Sequence, residues 1–258
     1  MTVHIILVSY YENFLAKSIK ELKHIANHPG ATVNFVVVNN NKNNTLDLRL
    51  DNTIDLIQGD NSSWEFSAWD QGVNYIRNKY TVNQTDVFIF ANDTFCHHRF
   101  YNLLTRIIFK KSIRLVRNNS KVVVGDICQS KDTLEIYNKS GNKWISTYIF
   151  SMQYGPLNSL PSFCNFKNNS EIKLVEQQIC SNHINSKLKE HLESWFFSGS
   201  GWYASGEATE SLIAKKIEAI LNEKLLSFLL VDNRDIVFFD IYINRYIKKA
   251  HRFLSRKL

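Results

Sequence analysis

The chain has few of the residues that mark fibrous, disulfide-bonded or zinc-binding proteins. Its 258 residues include 3 prolines, 9 glycines and 4 cysteines. This composition excludes collagen-like and low-complexity architectures. The cysteines, at positions 96, 128, 164 and 180, form no Cys-x-x-Cys pair and show no zinc-ligand spacing with histidine. We therefore expect free, mostly buried thiols and neither a zinc site nor thioredoxin-type chemistry.

Long apolar runs are also missing. The longest, such as residues 33–38 and 145–150, are as long as strands, whereas a helix that crosses a bilayer needs about 20 apolar residues. The chain starts with a strand-like segment, without a basic region or a small-residue cleavage site. The sequence thus predicts a cytoplasmic protein without a signal peptide or a spanning helix.

The remaining composition is that of a globular protein, with 44% apolar residues and a net charge of +7. The length fits one large domain or two closely packed halves. Much of the positive charge lies at the end of the chain, where residues 245–257 include six Lys or Arg and no acid. No nucleic-acid recognition motif accompanies this charge, so we expect no nucleic-acid partner.

Strand and helix patterns alternate in the first third of the chain. This alternation predicts an α/β fold with a mostly parallel sheet flanked by helices. Strands are predicted at residues 3–9, 32–38 and 86–90, with another ending near 57, and helices at 12–26, from 62 or 63 onward, and at 98–116. Later patterns predict a strand at 121–124, a hairpin of 134–137 with 144–152 around a turn at 139–142, and helices at 171–197 and 209–230.

Polar loops follow the first, second and fourth strands. They contain Ser9-Tyr10-Tyr11, residues 39–44 and Asn92-Asp93-Thr94. Ligands of open α/β sheets gather beyond the carboxyl ends of the strands, so we expect these loops to converge on one crevice. The chain has no Gly-x-Gly-x-x-Gly or Walker loop, which argues against dinucleotide or P-loop phosphate binding.

The order of these elements resembles the GT-A glycosyltransferases, particularly the inverting family 2 enzymes of bacterial polysaccharide synthesis. The resemblance rests on residues 5–11, 36–40, 61–72 and 87–93, and it weakens after about 125. It implies a nucleotide-sugar-binding GT-A half over 1–125 and an acceptor-side half over 126–235. The implied function is sugar transfer to a glycan or lipid-linked acceptor of O-antigen, lipopolysaccharide or capsule synthesis. A non-catalytic nucleotide-sugar- or glycan-binding protein is the alternative.

The resemblance also implies a donor site. Its residues are Ser9, Tyr10, Tyr11, Asn39, Asn40, Asp70, Asn92 and Asp93. The family's Asp-x-Asp motif holds a divalent cation, Mg²⁺ or Mn²⁺, against the leaving diphosphate. Here Ala91 replaces the first acid, which leaves Asp93 as the metal-ligand candidate or, alternatively, as part of a turn or helix cap. Asn39 and Asn40 either bind the nucleotide or form a solvated loop.

Three further motifs near this strand end are open to interpretation. Ser62-x-x-Glu65 predicts a capping box, so a structural role is sufficient for Glu65. Asp70 has no comparable explanation, and we predict that it approaches the donor sugar or pyrophosphate. His97 and His98 either complete a metal site or lie exposed in the first turn of a helix.

An inverting transfer needs a general base, usually an Asp or Glu. Glu193, Glu207 and Asp126 are the candidates in the second half, and the sequence does not choose among them. We favour Glu193 because aromatic residues at 195, 202 and 203 could stack on a sugar. An exposed carboxylate on a helix surface is the alternative.

Residues 236–258 have the pattern of a basic amphipathic helix. Apolar residues at 242, 243, 246, 247, 250, 253 and 254 recur at helical spacing, and basic residues occupy the other faces. Such a helix either lies on the anionic inner membrane, where a lipid-linked acceptor would be presented, or packs on the domain with a solvated basic face.

Overall fold

The computed structural model describes residues 1–43, 52–97, 101–166, 172–198 and 208–242. In chain order its elements are β1 (Thr2–Ser9), α1 (Glu12–Ala26), β2 (Thr32–Asn39), β3 (Ile54–Gln58), α2 (Trp64–Lys79), β4 (Val87–Asn92), α3 (Leu103–Asn118), β5 (Val122–Ile136), β6 (Lys139–Gln153), α4 (Tyr154–Asn158), β7 (Lys173–Val175), β8 (Gln178–Cys180), α5 (Ser186–Phe197), α6 (Glu210–Arg234) and β9 (Val237–Asp240). Among these helices, none is long and apolar enough to cross a membrane.

Seven strands form the main sheet, in the order β3-β2-β1-β4-β6-β5-β9. β1 pairs in parallel with β2 and β4, β2 with β3, and β5 with β9, while β6 runs antiparallel to β4 and β5. The predicted α/β fold with a mostly parallel sheet is confirmed. In doubly wound sheets that contain the order β3-β2-β1-β4, ligands bind where the chain changes direction, which here is between β1 and β4.

Helices cover both faces of this sheet. In β1, Val3, Ile5 and Leu7 pack into a core with residues of α1 and α3, and Ile6 and Val8 pack into a second core with residues of α2 and α6. All five side chains are 0–4% exposed. Strands covered on both faces are apolar throughout, as this one is.

Helix α2 lies very close to β1 at Gly72. A Cβ atom at this position would be 2.5 Å from Cγ2 of the buried Ile6. One turn earlier, Trp69 is fully buried against Phe90 and Phe150, as its spacing predicts. The start of α2 is thereby fixed beside the carboxyl end of β1.

The predicted helix at 171–197 is correct only in its second part. β7 and β8 form a small antiparallel hairpin before α5 begins at Ser186. The two residues between these strands, Glu176 and Gln177, have φ angles of 48° and 64°. Positive φ at both central residues is typical of the tight turns that join antiparallel strands, and it overrides the helical pattern.

The β5–β6 hairpin is longer than predicted, and its turn is earlier. Ile136 already pairs with Lys139, so residues 139–142 belong to β6 and not to the turn. The predicted C-terminal helix over 236–258 is wrong at its start, because β9 pairs in parallel with β5 as an edge strand. Residues 243–258, and the basic face predicted for them, lie outside the described residues.

All four cysteines are free thiols, but the prediction that most of them are buried is wrong. Cys96 is buried and Cys180 is exposed, and the other two lie between these extremes.

The contact at Gly72 gives a prediction for stability. Gly72→Val should lower the free energy of unfolding by about 2–3 kcal/mol, because the added methyl groups overlap buried Ile6. The measurement is denaturant unfolding, with a lower midpoint at unchanged slope. Asn74→Val introduces the same residue at an exposed position of α2 and should have a much smaller effect. Equal effects of the two substitutions would contradict the close contact.

Candidate active site

A cleft of about 610 Å³ opens at the carboxyl ends of β1 and β4. Ligand pockets of proteins typically measure ~300–1,000 Å³, so this cleft has room for a ligand of substantial size. Six parts of the chain line it: the end of β1 with the β1–α1 turn, the residue after β2, the start of α2 with its preceding loop, the end of β4 with the residues after it, the middle of β6, and one face of α6.

The cleft brings together several predicted donor-site residues. They are Tyr10, Tyr11, Asn40, Asn92 and Asp93. Ser9 and Asn39 do not line it, because they are the buried last residues of β1 and β2, 0% and 5% exposed. The Asn39 side chain is held by the neighbouring strand, with Nδ2 donating to Oε1 of Gln58 at 3.3 Å.

Asp93 joins the end of β4 to the turn after β1. Its Oδ2 accepts the backbone N–H groups of Tyr10 and Tyr11, each at 2.6 Å, and the side chain is nearly buried. Its backbone carbonyl accepts the Ser18 hydroxyl of α1 at 2.9 Å. Tyr11 is the N-cap residue of α1 and makes no side-chain capping bond. Asp93 therefore places a negative charge at the amino end of α1, where the helix dipole favours it.

These residues do not fit a dedicated cation site at the strand end. Ala91 supplies no ligand atom, Oδ1 of Asn92 accepts the Thr94 hydroxyl at 2.7 Å, and Asp93 is engaged with backbone N–H groups. Mg²⁺ and related cations need several converging oxygen ligands. In the described part of the chain, no cluster of three or more His, Cys, Asp and Glu suits a metal.

His97 does not complete a metal site either. Its ring stacks on Phe14 of α1, with 4.1 Å between the ring centroids, and its Nε2 lies 3.2 Å from the Phe14 carbonyl oxygen. The histidine thus packs against α1 outside the cleft. His98 lies outside the described residues.

Asn40 shapes the loop that carries Trp64 into the cleft. Its Nδ2 donates to Oδ1 of Asn61 and to the Trp64 carbonyl, both at 2.9 Å, and its Oδ1 accepts the Asn61 N–H at 3.0 Å. Asn61 and Trp64 both have a φ of 53°, a conformation that is strained for an aromatic residue. The Asn40 amide holds this strained loop in place. The role of Asn40 at the cleft wall is therefore to support the loop.

A carboxyl pair that the sequence analysis missed lies opposite this loop. Oγ1 of Thr147 on β6 is 2.9 Å from Oε2 of Glu223 and 3.4 Å from Oε1 of Glu65. The Thr147 backbone N–H donates to the same Glu223 oxygen at 3.0 Å. A hydroxyl donates one proton, so both side-chain contacts are hydrogen bonds only when one carboxyl group is protonated.

The surroundings identify Glu65 as the protonated partner. Burial raises the pKa of the Glu65 carboxyl, Lys216 opposes the shift, and Glu223 adds to it. Glu223 accepts a backbone N–H and a hydroxyl, and hydrogen bonds to a carboxylate favour its charged form.

The predicted capping box is wrong. Ser63 is the N-cap residue of α2 without a side-chain capping bond, and its hydroxyl donates to Oε1 of Glu218 on α6 at 2.9 Å. Oε1 of Glu65 lies 3.4 Å from the Thr147 hydroxyl on β6. A local capping pattern therefore concealed a residue that contacts two distant parts of the chain.

One face of α6 adds two lysines to the cleft. Four residues of this helix line the cleft: Leu212, Lys215, Lys216 and Glu223. The last three follow the first by three, four and eleven positions, so all four lie on one side of the helix. The Lys216 ammonium lies 5.0 Å from the centroid of the Trp64 ring, a cation–π contact. Over the described ranges, neither ammonium group has a hydrogen bond or salt bridge. The sequence predicted this helix but not the role of its polar face, which the spacing of these residues could have indicated.

Asp70 and the predicted general bases lie elsewhere. Asp70 accepts the Ser162 hydroxyl at 2.5 Å and the Phe163 N–H at 3.0 Å, so it anchors the loop after α4 and does not approach the cleft. Glu193 on α5 accepts the Ile179 N–H at 2.7 Å. Asp126 is buried in β5. Neither Glu193 nor Asp126 lines the cleft, and Glu207 lies outside the described residues.

No protein-family model and no curated protein matches the chain.

The role of Asp93 predicts a stability effect that needs no ligand. Asp93→Ala should lower the free energy of unfolding by about 2–4 kcal/mol, because two N–H groups at the start of α1 lose their acceptor. Unfolding is measured in metal-free buffer. Asn92→Ala, which removes a single side-chain contact next to it, should cost less. If Asp93→Ala is as stable as the parent, the carboxylate is not a structural brace.

The carboxyl pair predicts a pH dependence. A carboxyl group whose pKa is higher in the folded than in the unfolded chain weakens stability as pH rises above its unfolded value of about 4. Glu65→Gln cannot ionise, so its stability relative to the parent should increase as pH is raised from about 4 towards neutrality. Unfolding curves across this range measure the difference. Glu176→Gln, at an exposed turn, serves as control, and a difference that does not change with pH for Glu65→Gln argues against a protonated Glu65.

Proposed function

We propose that the protein is a glycosyltransferase built on the GT-A plan. It would move a sugar from a nucleotide-sugar donor to a glycan or lipid-linked acceptor in bacterial surface polysaccharide synthesis. One observation carries this proposal: exposed tyrosines, two lysines and a carboxyl pair converge in one cleft at the carboxyl ends of β1 and β4. A nucleotide-sugar needs these groups together, because it has an aromatic base, a charged diphosphate and a reacting sugar.

The donor's nucleotide fits the side of the cleft formed by the β1–α1 turn. Tyr10 and Tyr11 are 42% and 48% exposed, and their rings meet edge to face with centroids 5.1 Å apart. Exposed aromatic rings on a fixed turn can stack on a base or ribose. Asp93 fixes this turn through its two backbone hydrogen bonds. Lys215 and Lys216 lie across the cleft, where they would face the phosphates.

The acceptor fits the side formed by β6 and α6, where Glu223 is the general base of the proposal. Its carboxylate removes the proton from the acceptor hydroxyl as the hydroxyl oxygen forms a bond to the anomeric carbon. The bond from that carbon to the diphosphate breaks, and the diphosphate leaves with the electron pair. Attack opposite the leaving group inverts the anomeric configuration. Thr147 orients the carboxylate through its N–H and hydroxyl.

Glu65 has a different role from Glu223. The Glu65 carboxyl group lies 3.4 Å from the Thr147 hydroxyl, and the same hydroxyl donates to Glu223 at 2.9 Å. In the proposal Glu65 is therefore a positioning residue for the Thr147–Glu223 unit.

The first test is binding. Melting temperatures are measured with UDP-, GDP-, dTDP- and CMP-sugars, since a ligand of the folded state stabilises it. At least one of them should raise the melting temperature and be turned over to the free nucleotide when glycan or lipid-linked acceptors are supplied. Absence of any shift and of any turnover would remove the proposal. Binding without turnover would favour a non-catalytic nucleotide-sugar-binding protein.

The second test is the base. Glu223→Gln should lower kcat by about 10²- to 10⁴-fold, because a positioned proton acceptor typically contributes that much. Donor affinity should stay within about twofold of the parent, since the base acts on the acceptor. Glu193→Gln changes the carboxyl group outside the cleft and should retain full activity. The reverse pattern, an inactive Glu193→Gln and an active Glu223→Gln, would return the base to α5.

A further inference from the structure

We propose that Lys215 and Lys216 of α6 neutralise the donor's diphosphate in place of a cation at Asp93, so that the cleft binds nucleoside diphosphates without a divalent metal ion. This inference rests on the proposed function and specifies how the donor is held.

The Asp93 carboxylate is already occupied by hydrogen bonds. Its Oδ2 is the shared acceptor of two backbone N–H groups at the start of α1. A cation bound at this oxygen would compete with both hydrogen bonds and would loosen the turn that carries Tyr10 and Tyr11. Neither neighbour offers a second anionic ligand, since Ala91 has no side-chain ligand atom and the side chain of Asn92 is a neutral amide whose Oδ1 accepts the Thr94 hydroxyl.

The second step is the pair of lysines. Both line the cleft, and in the described chain both lack a salt-bridge or hydrogen-bond partner. Unpaired ammonium groups on the wall of a cleft attract an anion, and lysine is a common phosphate ligand in proteins. The Trp64 ring beneath Lys216 restricts where that ammonium group can point. A fixed cation loses less conformational entropy when a phosphate binds.

The third step is the balance of charge in the cleft. Three carboxyl groups line it, from Glu65, Asp93 and Glu223. Burial raises the pKa of Glu65, Glu223 accepts two hydrogen bonds from Thr147, and Asp93 accepts N–H groups at the positive end of the α1 dipole. Among the described residues that line the cleft, Lys215 and Lys216 carry the positive side-chain charge that can meet a diphosphate. Their place on α6, a helix of 25 residues, holds them at a fixed position against the sheet.

The experiment measures nucleotide affinity by calorimetry on the full-length protein. UDP, GDP and dTDP are titrated in buffer with EDTA and in buffer with Mg²⁺ or Mn²⁺, and each is compared with its own nucleoside. The variants are Lys215→Met, Lys216→Met, their combination, and Lys216→Arg, which keeps the charge. Lys20→Met, on the exposed side of α1, controls for net charge. Thermal unfolding of every variant is recorded alongside.

The expected result has three parts. A nucleoside diphosphate binds equally well in EDTA and in metal. Each lysine-to-methionine change weakens its binding by about 10-fold or more, the size of a hydrogen bond to a charged group, and leaves nucleoside affinity unchanged. Lys20→Met binds like the parent, and Lys216→Arg, which keeps the charge, weakens binding less than Lys216→Met. A lysine with a purely structural role would not change the ratio of diphosphate to nucleoside affinity.

Two results would overturn the inference and leave the proposed function intact. One is nucleotide binding that requires Mg²⁺ or Mn²⁺. The other is metal-free binding that the lysine variants do not weaken. If none of these nucleoside diphosphates binds under any condition, the inference fails, and the proposed function fails with it when no nucleotide-sugar, CMP-sugars included, raises the melting temperature or is turned over.

Discussion

The hydrogen bonds between the Asp93 carboxylate and the backbone of Tyr10 and Tyr11 are the constraint on which the cleft depends. They connect the carboxyl ends of the two central strands and set the direction in which α1 leaves the sheet. A doubly wound sheet offers a crevice at this point whatever its sequence. By fixing the β1–α1 turn, this carboxylate forms one side of the crevice, and the two tyrosine side chains extend from that turn. Asp93 thus has a structural role that does not depend on a metal ion.

Helix α6 provides the opposite wall through contacts that are very distant in sequence. The Ser63 hydroxyl reaches Glu218, which is 155 residues away, and Thr147 joins Glu65 and Glu223 across 82 and 76 residues. Lys216 packs on Trp64 in the same region. A turn of strained backbone at Asn61 and Trp64 meets the helix here. The cleft therefore forms only when the second half of the chain folds onto the first.

The sequence predicted those parts of the fold that depend on local patterns. The apolar strand β1, the periodic helices α1 and α6 and the buried position of Trp69 follow from spacing alone, and the structure agrees with each. The small hairpin of β7 and β8 and the edge strand β9 were missed, because a two-residue turn and an edge pairing leave weak patterns over three or four residues. Such short elements are decided by tertiary contacts more than by propensity.

The candidate site was only half predictable for a related reason. Strand-end loops can be placed from topology, which is how Tyr10, Tyr11 and Asp93 were found. The partners of a side chain cannot be placed in this way when they lie in another half of the chain. Glu65 satisfies a capping pattern with Ser62 in sequence, yet in the fold it bonds to Thr147. Asp70, which lacked a local explanation, is an anchor for the loop at Phe163. In both cases a long-range hydrogen bond decided the role.

The arrangement along α6 has a consequence for the chemistry. Lys216 and Glu223 are seven residues apart on one face of the helix, which corresponds to about 10.5 Å along its axis. This separation is between backbone positions, and from it the two long side chains would reach toward opposite sides of one anomeric carbon, the lysine to the phosphate and the glutamate to the acceptor hydroxyl. Sites built on one rigid element keep such a separation better than sites built on loops. In the proposed reaction a single helix thus sets the distance between the leaving group and the base, while the β1–α1 turn holds only the nucleotide.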